Sequence, residues 1–346
     1  MPEIERYTAL ALQTRCDAVN ALGKDDARAA MLRAIKRIDE QIRGSSLLTG
    51  PDLRLVVLPE YFMTGYPVGE TIEGWADKAA ITLGGVEYEA LSAVAEKHSI
   101  WLSGNAYETD ENFPGYYFQT SFIIGPSGDV ILRYRRLISM FAPTPHDVWD
   151  RYLELYGIDA VFPVVTTDIG RLACVASEEI LFPEITRAHT LRGAEIILHS
   201  SSEVASPELT PKEIARRARA IENGVYVITA NSSGVHGEGI PAMSVDAMSK
   251  IVDYKGLVLA NAGYGETMAA NAKIDLPAMR ANRHRPGMPN YFARQRLELF
   301  QETYSGSVYA ANSLTETSAK GDVPKREHFI EMQRKTIQKL ADDELI

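Results

Sequence analysis

The run Gly170-Arg171-Leu172-Ala173-Cys174-Val175-Ala176-Ser177-Glu178-Glu179-Ile180-Leu181-Phe182-Pro183-Glu184 puts a hydroxyl and two carboxylates at a bend in the chain. Leu172 to Ala176 is an apolar stretch long enough for one buried strand. Pro183 suits the first turn of a helix, where a missing N–H costs nothing. Ser177, Glu178 and Glu179 therefore fall on a strand-to-helix elbow, beside backbone N–H groups that have no partner in the strand or the helix. A side chain mounted there projects from the sheet and can act as a nucleophile, with donors nearby for a developing oxyanion.

Two other stretches carry complementary chemistry. Leu58-Pro59-Glu60-Tyr61-Phe62 closes an apolar strand, and a carboxylate in that position loses solvent, which suits Glu60 to general-base work. Arg133-Tyr134-Arg135-Arg136-Leu137 ends a hairpin and supplies fixed positive charge. A hydroxyl nucleophile needs a stronger base than a thiol does, and serine enzymes generally use a His oriented by an acid. The neighbouring histidines, His189 and His199, are not on the elbow; His146, in the irregular stretch 137–160, is the one expected near a cleft. Cys174 lies three residues before Ser177 on a strand, so alternation turns it to the other face, as a small core residue.

These segments resemble the nitrilase superfamily of carbon–nitrogen hydrolases. The resemblance rests on Leu58-Pro59-Glu60 with Gly65-Tyr66, on Tyr134-Arg135-Arg136, on the elbow through Phe182-Pro183-Glu184, and on Arg192 to Leu198, Arg219 to Asn231, and Ser249 with Asp253 to Gly256. It implies Glu60 as base, Arg136 where the family carries a Lys, and Ser177 where it carries a nucleophilic Cys. Arginine keeps the charge but presents a wide planar fork that stays protonated. Tyr61, Glu178 and Glu179 are then expected to line the substrate site, with Glu179 bracing the turn. The family's further acid falls within Met140 to Asp150, with Asp147 as the candidate. The implied activity is hydrolysis of a small amide, nitrile or carbamoyl compound, without a cofactor. The alternative is an inactive relative that keeps the pocket for a ligand or partner. The resemblance also implies a homodimer or larger homo-oligomer.

The elements that must position these groups follow from patterning. Strands are expected at Tyr7–Gln13, Leu53–Leu58, Ile100–Ala106, Glu195–His199, Val225–Ala230 and within 242–262. Hairpins are expected at 116–136, around Gly125-Pro126-Ser127-Gly128, and at Val164–Ala176. Helices are expected at 26–43, with Met31, Ile35, Ile38 and Ile42 on one face, and at 86–98 and 183–192. Another is expected at Pro211–Gly224, capped by Thr210 and stopped by Gly224. Paired alternation of strands and helices favours an α/β fold with two sheets covered by helices, the four-layer αββα sandwich that the resemblance also implies. Residues 1–315 are read as one domain and 316–346 as a polar, helical tail. The net charge of −10 is spread along the chain, which argues against a nucleic-acid surface or a polybasic membrane anchor. With no long apolar run and no signal pattern at the start, a cytoplasmic protein is expected. Two widely spaced cysteines, Cys16 and Cys174, offer neither a disulfide framework nor a metal site.

Overall fold

The computed structural model describes residues 4–203, 206, 209–239, 241, 247–315 and 322–346. In chain order its strands are β1 (Tyr7–Ala11), β2 (Cys16–Asp17), β3 (Leu53–Val57), β4 (Trp101–Thr109), β5 (Tyr117–Ile124), β6 (Val130–Arg135) and β7 (Val165–Thr167). They continue with β8 (Gly170–Ala176), β9 (Ile196–Ser201), β10 (Tyr226–Asn231), β11 (Val235–His236), β12 (Lys250–Val252), β13 (Val258–Asn261) and β14 (Asn271–Ile274). Two six-stranded sheets result, in the orders β14-β1-β3-β4-β5-β6 and β13-β12-β10-β9-β8-β7, while β2 and β11 form a small parallel ribbon. In both large sheets the central strands run parallel and the outer ones antiparallel.

Strand alternation divides the core. Leu55 and Val57 face the second sheet, with Tyr7, Ala9 and Ala11, and meet Cys174, Ile196, Leu198 and Ile228. Val56 and Leu58 face outward with Leu10 and Leu12. The outward face is covered by α1 (Lys24–Thr49), α2 (Ile72–Ala79) and α3 (Val86–His98). Met31, Ile35, Ile38 and Ile42 of α1 are all buried there, as their spacing requires. The second sheet is covered by α5 (Pro183–Leu191) and α6 (Pro211–Asn223). The sandwich is therefore αββα, as expected.

The stretch 137–160 is more regular than its prolines suggest, with 3₁₀ turns at Pro145–Val148 and Ile158–Ala160 around α4 (Trp149–Tyr156). Helix α2 escaped the sequence reading: only eight residues long, it shows too few turns for periodicity to register. The strands expected within 242–262 are β12 and β13; residues 242–246 of that stretch lie outside the described residues. Helix α7 (Leu276–His284) follows β14, and the C-terminal helix spans Arg326–Asp342, burying Phe329 against the outer core. Its neighbours 316–321 lie outside the described residues. Among the described residues no helix is long and apolar enough to cross a membrane.

One buried carboxylate joins the two sheets where the site lies. Glu179 sits in the 3₁₀ turn Ser177–Leu181 that follows β8. Its Oε1 accepts hydrogen bonds from the N–H groups of Leu137 (2.6 Å) and Ile138 (3.1 Å), just past β6 of the other sheet. Its Oε2 accepts from the Tyr134 hydroxyl (2.9 Å) and from Ala176 N–H (3.2 Å). Burial pushes the carboxyl up to about 7, against the opposing pull of Arg136 and these donors. The other end of β8 is set by Gly170, whose φ of +125° an L side chain rarely adopts and whose missing Cβ would lie 2.6 Å from Leu276 Cδ1.

Gly170→Ala is therefore expected to cost about 2–4 kcal/mol, from strained backbone and overpacking; chemical denaturation measures it, and a loss below about 0.5 kcal/mol, the scale of an ordinary surface change, would contradict the packing. For Glu179 the sign follows from its raised value. The folded carboxyl holds its proton up to about pH 7, whereas the unfolded one releases it near 4.3. Its contribution to stability is complete below about pH 4.3 and is lost as pH rises through 7. Glu179→Gln cannot ionise. The wild-type stability minus that of the variant should fall by on the order of 3 kcal/mol from pH 4 to pH 8, read from denaturation at each pH. A flat difference would contradict the assignment.

Candidate active site

Glu60 stands just beyond β3, where the ends of both sheets are stitched together. Leu58 N–H donates to Ser103 O (2.8 Å), Ser200 Oγ donates to Leu58 O (2.8 Å), and Glu60 N–H donates to Ser201 O (3.3 Å). The Glu60 side chain is 1% exposed. Its Oε1 accepts from Gln119 Nε2 (2.5 Å) and lies 3.7 Å from Arg136 Nη1. Its Oε2 is buried with no hydrogen-bond partner among the described residues. A buried carboxylate oxygen left free is costly, and such atoms concentrate where a ligand or a proton completes the site.

Arg136 follows β6 and is buried beside Glu60. Nε donates to Ile138 O (2.7 Å), Nη1 donates to Gln119 Oε1 (2.8 Å), and Nη2 pairs with Glu178. Burial works against the charge, but Tyr61, Glu60 and Glu178 more than offset it and hold the guanidinium cationic. A guanidinium has five N–H donors, so these three bonds leave one on each Nη for an incoming oxygen. Gln119, absent from the sequence reading, is the bridge between anion and cation: its Nε2 serves Glu60 and Asn105 (3.0 Å) while its Oε1 serves Arg136 and, at 3.4 Å, the Tyr61 hydroxyl. The one signal for it was a polar Gln-Thr-Ser run inside the otherwise apolar β5.

Ser177 caps β8 at φ +51°, in the left-handed region, and Tyr61, next to Glu60, has φ +57°. Non-glycine residues held there store strain of roughly 1–3 kcal/mol, and such outliers cluster at functional sites. Ser177 is 7% exposed. Its carbonyl accepts from His199 Nε2 (2.7 Å), whose Nδ1 faces Thr229 Oγ1 (3.1 Å). A carbonyl can only accept, so Nε2 carries the hydrogen and His199 is neutral; burial holds its pKa well below the usual range. His199 therefore positions the elbow backbone and does not activate the hydroxyl. The hydroxyl itself meets a group that sequence reasoning missed: Lys212 Nζ, from the first turn of α6, lies 3.4 Å from Ser177 Oγ and 3.4 Å from Ser202 O. Burial lowers the Lys212 pKa, and of the surrounding charges Glu60 acts on it most strongly.

Glu60 and Arg136 are thus joined through Gln119, Arg136 to the elbow through Glu178, and Ser177 to Lys212, on which the Glu60 and Glu178 charges both act. Tyr61 stacks on Tyr107. Glu178 pairs with Arg136, while Glu179 is fully buried as the brace. Asp147 is not brought in: its carboxylate accepts from Thr144 N–H (2.9 Å), Thr144 Oγ1 (2.7 Å) and Ser313 Oγ (2.6 Å), capping its own turn. His146 packs against Trp149 and Tyr309, and His189 is buried against Tyr134 and Phe162, its pKa lowered to about 3 by burial. Cys174 lies in the core beside Ser103, its thiol pushed up to about 12 by burial. Among the described residues no group of three or more His, Cys, Asp or Glu is placed to hold a metal ion.

The carbon-nitrogen hydrolase family model matches residues 25–284. The nitrilase and fragile histidine triad fusion protein NitFhit of Caenorhabditis elegans is 30% identical over 251 residues, covering 71% of this chain and 54% of that one. The chain thus spans about half the length of that relative. The 2-oxoglutaramate amidase of Bacillus subtilis is 30% identical over 222 residues, covering 64% of this chain and 78% of that one. A solved carbon-nitrogen hydrolase from Helicobacter pylori superposes with a TM-score of 0.64 at 20% identity, covering 88% of this chain and 99% of that one, a likeness of fold. The chain belongs to the carbon–nitrogen hydrolase family.

Proposed function

We propose that the protein hydrolyses a carbon–nitrogen bond of a small amide, nitrile or carbamoyl compound through an acyl ester on Ser177. The amidase activity named for the Bacillus subtilis relative supports an amide as the first class to test. On this reading Ser177 stands where the family's thiol is expected and Arg136 where its Lys is expected. The observation that carries the proposal is Glu60 Oε2, buried without a hydrogen-bond partner among the described residues, on a carboxylate whose charge acts on the Lys212 that reaches the left-handed Ser177.

The chemistry for an amide runs in two halves. Ser177 Oγ bonds to the carbonyl carbon as it gives up its proton, with Glu60 the buried anion that drives the removal. The remaining N–H donors of Arg136 and backbone N–H groups of the elbow hold the oxyanion. The carbon–nitrogen bond then breaks, the proton leaves with the amine, and an ester remains. Water adds to that ester, and the acid departs as Ser177 regains its hydrogen. Tyr61 and Glu178 flank the substrate. No cofactor enters any step. The domain is taken as residues 1–315 with a tail at 316–346, active in the cytoplasm as a homodimer or larger homo-oligomer.

A second reading has one observation in its favour. Arg136 Nη2 is already paired with Glu178, which suits a pocket that binds a carboxylate-free ligand and turns nothing over. Assays on short amides, nitriles, carbamoyl amines and esters, following ammonia or acid release, separate the two. Turnover is expected, and both Ser177→Ala and Glu60→Gln should lower kcat/KM by about 10²–10⁴, the usual worth of an acid–base or nucleophilic group. Activity that survives Ser177→Ala would overturn the ester. No turnover of any class, with ligand binding intact, would favour the second reading.

A further inference from the structure

Ser177 has a hydroxyl where this chemistry works best with a readily ionised group, and no His reaches its Oγ: His199 is committed to the Ser177 carbonyl. What does reach it is Lys212. The placement is built into the fold. Thr210 caps α6, its Oγ1 accepting from Glu213 N–H (3.2 Å), and Pro211 starts the helix, so Lys212 emerges from the first turn toward the elbow. The following turn is anchored by Arg216, which is buried and pairs with Glu203 (2.7 Å), and Lys250 pairs with Glu213. Lys212 is thus aimed by a fixed helix start, next to a second cation, Arg216, whose charge also acts on it.

We propose that Lys212 is a catalytic residue of this site, a base that takes the Ser177 hydroxyl proton, so that the chain works with a Ser–Lys pair in place of a thiol. This rests on the acyl-ester reading above. Burial lowers the Lys212 pKa and the Arg216 charge adds to this, while Glu60, Glu203 and Glu178 oppose it. Glu60 then acts as the counter-charge for the ammonium that forms. In the forward step the Nζ lone pair accepts the Oγ proton as Oγ bonds to the acyl carbon, giving an ammonium and an oxyanion. The ammonium returns that proton to the departing nitrogen as the carbon–nitrogen bond breaks, which restores the neutral amine for the attack of water. No other reactant is needed. The 3.4 Å separation is at the loose end of hydrogen-bond range, as catalytic contacts often are before substrate tightens them. Arg136, held protonated by Glu60 and Glu178, is left to the oxyanion, and the two cationic side chains divide work between charge and proton transfer.

The test uses p-nitrophenyl acetate on the full chain, with nitrophenolate release followed before steady state and the acetylated residue located by peptide mass. Wild type is expected to acetylate at Ser177, with a rate that rises with pH to a plateau set by an ionisation below the ordinary lysine value of 10.5. Lys212→Arg keeps stem and charge but never releases a proton, and should slow acetylation at least 100-fold at pH 8 while folding normally. Lys212→Ala should be equally slow, and added ethylamine should restore part of its rate, which a purely structural lysine would not allow. Acetylation of Lys212→Arg at the wild-type rate would overturn the Ser–Lys pair and leave the acyl ester standing. Acetyl on Lys212 in place of Ser177, or no acetylated Ser177 at any pH, would overturn both.

Discussion

The site depends on the Glu179 carboxylate. It receives four donors drawn from two sheets: two N–H groups past β6, the Tyr134 hydroxyl, and the N–H at the end of β8. A carboxyl buried this deeply is costly to ionise, and four donors are what make the position tenable. The consequence is positional. Arg136 and Ser177 come from different sheets, and this group ties the turn that carries one to the strand end that carries the other. It works with His199, which holds the Ser177 carbonyl, and with Gln119 and Ile138 O, which hold Arg136.

Around that tie the polar groups are sorted by role. Gln119 sits between Glu60 and Arg136 and uses both ends of its amide, so the two charges are neither fully paired nor fully apart. A direct bidentate pair would tie up both Glu60 oxygens. The relay leaves Oε2 without a hydrogen-bond partner among the described residues. His199 takes the Ser177 carbonyl and stays neutral. On the proposed reading, a family that ordinarily works with a thiol and a lysine here works with a hydroxyl, a fixed guanidinium and a second amine from another element.

How far the residues announced this varies with distance along the chain. Local rules worked. Apolar runs marked β3 and β8, Pro183 marked the start of α5, and Thr210 and Gly224 bounded α6 where they were expected. The strand-end positions of Glu60, Arg136 and Ser177 were legible, because local rules mark where β3, β6 and β8 stop. Gln119 and Lys212 did not stand out, because their partners lie far off along the chain; one lies mid-strand and the other is an ordinary helix lysine by sequence. Asp147 misled for the opposite reason. An acid beside prolines in an irregular stretch looks available, yet Thr144 stands three residues before it and claims both its own N–H and hydroxyl for that carboxylate.

The central claim is a covalent acyl intermediate on a thiol-free elbow, and partitioning tests it most directly. An amide and an ester sharing one acyl group would be turned over in the presence of hydroxylamine, with hydroxamate and acid both measured. The account predicts hydroxamate from each, in the same ratio to acid, because both substrates pass through one Ser177 ester before any nucleophile chooses. A ratio that changes with the leaving group, or acid formed with no hydroxamate at all, would contradict it.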